Sequence, residues 1–470
     1  MHLLRLCLAP KLLVQTLKRK GEEKMKKLAL LLMVVASLLA ACAPAAPVPT
    51  EPPPTEVPPT EVPPTEVPPV ELPEGCTEDL TGETITFYHF GDLTGVYAFI
   101  TQPLLAGFTD AIAYYNAQGG ICGATIVSEY ADDAGELEEA QAIYDRFSAL
   151  DPKPWMIMLY GSDETEMLRS RIVEDEIPVF TAGLSTPGLY GDSGQEPGWA
   201  FGMVPLYTDQ FGAFCDWVAD TWEGEEAPSI GILSWMGAFG QAAESAETTA
   251  YCESVGVEIV GSEYFMPGTP DLTVQIQSLM ADGANILYTN SLATGPAQIL
   301  TDAAALGVAD EVVIAGGNWA LDMATVGLAG AAANNFIGLL PYTWWDETDH
   351  PGIQIVTQEW VANEREIATR NVAYLLAWGT LDTYIELVKM GVAEVGYENV
   401  DGPAIYAAFQ ELDYEALDGV FNWKFDAETR APAMTRVGQV QFTAEGTPYF
   451  APLSEWMECP DLRPGGADVP

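Results

Sequence analysis

The chain has 470 residues, enough for two or three domains, and 48% of them are hydrophobic, which is ample for packed cores. Its formal net charge is −49, which excludes nucleic acid as a partner, because affinity for a phosphate backbone comes largely from Lys and Arg. Residues 1–42 hold 8 of the 19 basic and only 2 of the 68 acidic side chains, so the rest is more acidic still, a surface that favours solubility and suits cationic partners or saline surroundings.

The stretch from Met25 to Cys42, MKKLALLLMVVASLLAAC, has a basic start, an apolar core and small residues ahead of a cysteine. That is the pattern of a secretory signal peptide, too short and wrongly flanked for a lasting membrane span. Leu39-Ala40-Ala41-Cys42 resembles a bacterial lipobox, which implies removal of residues 25–41 and lipidation of Cys42 as the first mature residue. Because Met25-Lys26-Lys27 is an ordinary signal start, residues 1–24 are expected to be an over-called reading frame. Residues 42–79 follow as a tether, in which Thr-Glu-Val-Pro-Pro repeats with a period of five. Such proline density favours an extended polyproline-II spacer, about 3.1 Å per residue, so some thirty residues reach on the order of 90 Å. An anchored domain thereby stands away from a membrane that it touches only through its lipid.

From Thr84 onward, apolar runs of strand length alternate with longer helical patterns. ITFYHF (Ile85 to Phe90) precedes a helix ending at Gly119-Gly120; ATIVSEYAD, PWMIMLYG and IPVFTAG are the next strands, with ELEEAQAIYDRFSAL and ETEMLRSRIVEDE as helices between them. After Pro205 the pattern restarts: helix TDQFGAFCDWVADTW, strand SIGILSW, one helix FGQAAESAETTAYCESVG, strand EIVGSEYF, helix TVQIQSLMADG, strand NILYTN, helix GPAQILTDAAALG and strand VVIAGG. Two such series imply an α/β protein of two lobes, each a parallel sheet flanked by helices. Five cysteines remain beyond Cys42. Cys76 and Cys122 precede what would be neighbouring strands, Cys215 and Cys252 lie in two helical patterns of the second series, and either couple could pair in an exported protein, leaving Cys459 over. Spacing does not settle connectivity, and none of it has metal-ligand spacing.

Parallel sheets bind ligands beyond the carboxyl ends of their strands. In the first lobe these loops are Gly91–Gly95 (GDLTG), Ala131–Ala134, Gly161–Thr165 and Thr181–Thr186; in the second they are Ser234–Gly237, Thr289–Ser291 and Gly316–Trp319. None contains Lys, Arg or His, and none has a glycine-rich phosphate motif, so a nucleotide is poorly matched. Nor is there a Gly-x-Ser-x-Gly elbow, and the chain's three histidines offer no base: His2 falls in the discarded end, His89 reads as a sheet or core residue, and His350 lies in a solvated acidic loop. Asp132-Asp133 is expected to cap the following helix. No cofactor and no metal are implied. Hydroxyls, free backbone amides at helix N-termini and a few acids do suit a small polar solute.

Longer segments carry a resemblance. GDLTG, AIAYYNAQGGICGATIVSEYADD (Ala111 to Asp133), EDEIPVFTAGLSTPGL (Glu174 to Leu189) and NVAYLLAWGTLDTYIELVKMG (from Asn371) together resemble the leucine/isoleucine/valine-binding type of ABC-transporter solute-binding protein, with its type I periplasmic binding (Venus flytrap) fold. The likeness runs from about Thr84 to Trp456. It implies two discontinuous lobes, here 80–204 with 337–440 and 205–336 with 441–460, followed by a tail at 461–470. It also implies a monomer that closes on a solute and is read by permease subunits. By the same resemblance, Ser162 or Thr165 and the pair Gly183/Ser185 would hold a ligand carboxylate. Thr94 and Tyr160 would line the first wall, and Tyr207 would pack on the ligand. Trp235 and the turn from Asn318-Trp319 to Asp322 would face it from the second lobe. The chain departs from the amino-acid pattern at GSDETE, which puts Asp163 and Glu164 where serines and small residues are usual, and at GGNWALD, where Asn and Trp stand in place of an acid. An amide, a polyamine-like or quaternary cation, or an aromatic compound therefore enters beside an amino acid. A ligand-sensing module of the same fold and, more distantly, a secreted hydrolase are the alternatives.

Overall fold

The computed structural model describes residues 72–470; Cys42, the signal segment and most of the tether lie outside them. The first sheet has the order β2-β1-β3-β4-β5, all parallel, built from β1 (Thr84–Gly91), β2 (Thr125–Asp132), β3 (Ile157–Leu159), β4 (Val179–Thr181) and β5 (Ala200–Gly202). Successive side chains of β1 point to opposite faces. Ile85 and Phe87 join one core with helix α1 (Ala98–Ala117), whereas Tyr88 and Phe90 join another with α2 (Leu137–Ser148) and α3 (Ser162–Asp175). His89 is a core histidine: its Nε2 lies 2.6 Å from Ser128 Oγ, rings of Phe87, Phe108 and Tyr130 surround it, and burial pulls its pKa down to about 3. It is neutral at any ordinary pH.

Helix α4 (Thr186–Tyr190) precedes β5; from β5 the chain enters α5 (Tyr207–Thr221) and builds the second sheet. Its parallel part is β7-β6-β8-β9-β10, from β6 (Ser229–Trp235), β7 (Glu258–Phe265), β8 (Ile286–Thr289), β9 (Val313–Gly316) and β10 (Ile337–Leu339), to which β14 (Val437–Phe442) and β15 (Pro448–Pro452) add antiparallel. Residues 337–339 and 437–440, expected in the first lobe, therefore lie in the second sheet; β10 and β14 are paired with each other, which no local pattern records. The expected single helix after β6 is two, α6 (Ala238–Gln241) and α7 (Ala246–Ser254), because Ser245 makes a capping box with Thr248.

Between β10 and β14 the chain returns to the first lobe. Helix α12 (Val372–Val395), preceded by α11 (Pro351–Ala362), is buried along most of its length and packs on α1. Asn371 caps it, and Asp110 of α1 is clasped by Arg365 and the Tyr374 hydroxyl. The crossings between lobes are tied to one another: Leu340 N–H donates to Arg436 O at 2.8 Å, and Arg436 N–H donates back at 3.3 Å. Disulfides join Cys76 to Cys122 and Cys215 to Cys252, and Cys459 is buried as a thiol. Among the described residues no helix is long and apolar enough to cross a membrane.

Candidate functional site

In each sheet the order reverses next to the first strand, so that the loops after β1 and β3, and after β6 and β8, flank a switch point. These two sets of loops face each other. The first, GDLTG, is closed on itself. Asp92 is buried and its carboxylate accepts the N–H groups of Thr94 at 2.9 Å, of Gly95, and of Tyr97 at 2.7 Å. Thr94 is exposed, and its hydroxyl donates to Asp132 at 2.8 Å, which also accepts Leu93 N–H and Ala134 N–H. Asp132 and Asp133 thus staple turns, Asp133 accepting from Gly135 N–H, and do not cap α2, whose N-cap Glu136 makes no such bond. Burial lifts the Asp133 pKa to about 6.

The stretch Ser162–Thr165 is not a loop: Ser162 is the first residue of α3. A glycine at 183 lets this happen, since a Cβ there would come within 2.5 Å of the Gly161–Ser162 peptide. Gly183 is thereby a packing residue. Thr165 is buried, its hydroxyl donating to Gly161 O at 2.7 Å and lying 2.8 Å from that of Thr181. Ser185 is the N-cap of α4, accepting Gly188 N–H. What the first turn of α3 presents is acidic. Asp163 reaches the second lobe and accepts Ala238 N–H at 3.4 Å. Glu164 folds back over Gly161, where a Cβ would collide with its carboxylate. Burial, with the negative charge of Asp133, Asp163 and Asp92 adding to it, raises its pKa to about 7.

The second lobe contributes apolar surface. Trp319 donates its indole N–H to the Tyr207 hydroxyl at 3.0 Å, and Tyr207 donates in turn to Ala182 O at 3.2 Å, so one relay joins the lobes. Trp319 meets the Tyr160 ring edge-on with centroids 6.0 Å apart, and Phe239 meets Tyr207 at 5.2 Å. Trp235 stands behind, 6.2 Å from Phe239 and from Tyr97. Asn318 is fully buried; its backbone N–H is held by Gln210 and its carbonyl by Tyr342. Asp322 is buried too, capping α10 (Met323–Ala329) and accepting Val372 N–H at 2.9 Å, and burial raises its pKa to about 6. It ties the second lobe to α12 and holds no solute-facing position.

Between the two sets of loops lies a cavity of about 260 Å³. Of the twelve ligand positions expected from the sequence, Tyr160, Ser162, Asp163, Tyr207 and Trp319 line it; Thr94, Thr165, Gly183, Ser185, Trp235, Asn318 and Asp322 do not. Ser185 faces a neighbouring cleft of about 310 Å³ with Thr186 and Thr208, which shares Gly237 with the cavity. Sequence reasoning left out Asp92, Tyr97, Glu164, Phe239 and Leu292 as lining residues. Tyr97 and Phe239 each sit two residues past a quoted loop, at or inside a helix start. Their signal was available: side chains tilt toward a helix's N-terminus, so residues at a helix start face back to the strand ends.

A two-lobed α/β protein with its cavity at facing switch points has many relatives of known structure. The sequence matches the profile described as periplasmic binding protein over residues 84–447. The chain belongs to the periplasmic binding protein family. Solved structures similar to this periplasmic binding protein include a branched-chain amino acid ABC transporter protein from Thermus thermophilus with bound valine (18% identity, 81% of this chain and 97% of that one, TM-score 0.69). A fatty acid ABC transporter substrate-binding protein from Thermomonospora curvata is similar at 18% identity, 85% and 98% coverage and TM-score 0.66. A solute-binding protein of an ABC transporter from Rhodopseudomonas palustris HaA2, in complex with p-hydroxybenzoic acid, is similar at 14% identity, 80% and 98% coverage and TM-score 0.67. At these identities the likeness is one of fold. No curated protein is close enough in sequence to count as a match.

Proposed function

We propose that this protein is the extracytoplasmic receptor of an ABC importer: it captures a small polar solute between its lobes and delivers it to permease subunits, without chemistry of its own. The observation that carries this is the cavity itself, walled by the switch-point loops of both lobes and crossed by the Asp163–Ala238 and Trp319–Tyr207 hydrogen bonds. A ligand that touches both walls favours the closed arrangement by its differential affinity, which is the signal a permease can read. The lipobox-like Cys42 and the proline-rich tether support anchoring outside the membrane by lipid alone. Amino acids, amides and related compounds of similar size are the candidate solutes.

A thermal-shift screen of amino acids, amides, amines and aromatic acids tests the reading. A solute at 100 times its Kd stabilises the folded state by about 2.7 kcal/mol, and the same solute should be recovered unchanged. Product formation would overturn the reading. A ligand-sensing receptor of the same fold predicts the same binding, and is favoured instead if the protein restores no uptake when supplied with its neighbouring permease and ATPase.

A further inference from the structure

The lining of the cavity narrows the solute class, and the inference rests on the solute-binding reading above. Asp92, Asp163 and Glu164 all line the cavity, and among the described residues no Lys, Arg or His lines it. Asp92 is largely met by three backbone N–H groups, but Asp163 has a single long bond and Glu164 is crowded by its acidic neighbours. The remaining walls are rings: Tyr97, Tyr160, Tyr207, Phe239 and Trp319. One further polar group, able to accept from an ammonium, points to an occupant. Ser162 is 3% exposed, lines the cavity beside Tyr207, and its Oγ has no hydrogen bond of acceptable geometry.

A carboxylate has no place among these groups. The natural seat for one is the N-terminus of α3, where N–H groups and the helix dipole favour an anion. That seat is already taken by the helix's own acids, with the Glu164 carboxylate folded over Gly161. The hydroxyls of Thr165 and Ser185 are turned away from the cavity, Thr165 into the packing and Ser185 toward the adjoining cleft. A positive charge gains from both kinds of wall, since carboxylates attract it directly and aromatic faces attract it through their quadrupoles. We propose that the cavity binds a small organic cation, an amine or quaternary ammonium bearing no carboxylate, with its charged head at Asp163 and Glu164 and its carbon against Tyr97, Tyr160 and Phe239. As the head group arrives, the raised proton affinity of Glu164 falls and its charge develops where it is needed.

The test is a matched series titrated calorimetrically into the purified protein: phenethylamine, phenylalanine and 3-phenylpropionate share a carbon frame and differ in charge, and choline and putrescine extend the amine arm. At least one amine should bind ten or more times more tightly than phenylalanine, and 3-phenylpropionate should not bind. Asp163→Asn keeps the oxygen that accepts Ala238 N–H and removes the charge, so it should weaken amine binding tenfold or more while leaving the melting temperature of the unliganded protein in place. Phenylalanine or 3-phenylpropionate binding as tightly as every amine overturns the inference and leaves the solute-receptor reading standing. So does an Asp163→Asn protein that binds amines unchanged. If no solute of any class binds in this series or in the thermal-shift screen, both fail.

Discussion

The two walls of the interlobe cavity are made from the same part, loops and helix starts beyond parallel strands, yet they differ in chemistry. The first lobe brings Asp92, Ser162, Asp163 and Glu164 beside the rings of Tyr97 and Tyr160; the second brings Met236, Gly237, Phe239, Leu292 and Trp319, without a charge. The difference divides the work. Charge that must be desolvated is costly to move, and here it sits on one lobe, fixed by backbone N–H groups and by the helix start. The opposing lobe closes with apolar surface, which costs little to dehydrate and excludes water from the charged wall.

The comparison is most severely tested on the apolar side. Trp319→Ala removes a buried ring and orphans the Tyr207 relay, and is expected to destabilise by about 3–5 kcal/mol in urea unfolding. A loss below about 1 kcal/mol would show that the second wall is not packed as described. Gly183→Ala drives a methyl group into the Gly161–Ser162 peptide, and should cost about 1–3 kcal/mol while also displacing the acidic helix start and weakening solute binding. If it affects binding alone, the acidic wall is more plastic than its packing implies.

Ser185→Ala is the smaller and more discriminating change. Losing this N-cap should cost about 0.5–1 kcal/mol, with affinity for a cavity solute unchanged, because Ser185 lies in the adjoining cleft. An affinity loss without a stability loss would move the binding site to that cleft. The smallest expected effect is one of slope. Glu164 has its pKa raised from 4.5 to about 7, so between these values the folded state holds more protons than the unfolded one. Stability of the unliganded protein therefore falls as pH rises through that window. Asp92, Asp133 and Asp163 face it, and Glu164→Gln should flatten the fall in a series of melts from pH 4.5 to 7.5. An unaltered slope would mean that other buried acids, such as Asp209 and Asp322 with raised pKa values of about 7 and 6, carry the effect.

Much of the architecture was legible in the residues. Strand-length apolar runs separated by amphipathic or buried helices point to parallel sheets, and the restart after Pro205 points to a second one. The core setting of His89 followed from its place inside ITFYHF. The site was legible only to the level of the loop. GDLTG does border the cavity, but through Asp92, whereas Thr94 turns outward to Asp132. GSDETE was marked as unusual, yet read as a loop where the chain is already helical. The lobe boundaries near 337 and 440 were missed because β10 joins the second sheet by pairing with β9, and β14 by pairing with β10.

Sequence by itself determined the layers, the switch-point loops and the absence of basic groups from them, because periodicity and composition report burial and charge along a local stretch. The tertiary structure alone decided which of those side chains face the solute. A polar residue at a strand end chooses between the cavity and a backbone partner according to donors that come from far away in the chain, such as Ala238 for Asp163, Val372 for Asp322 and Leu93 for Asp132. No local pattern encodes those meetings; they exist only once the chain has folded, and the first two only once the lobes meet.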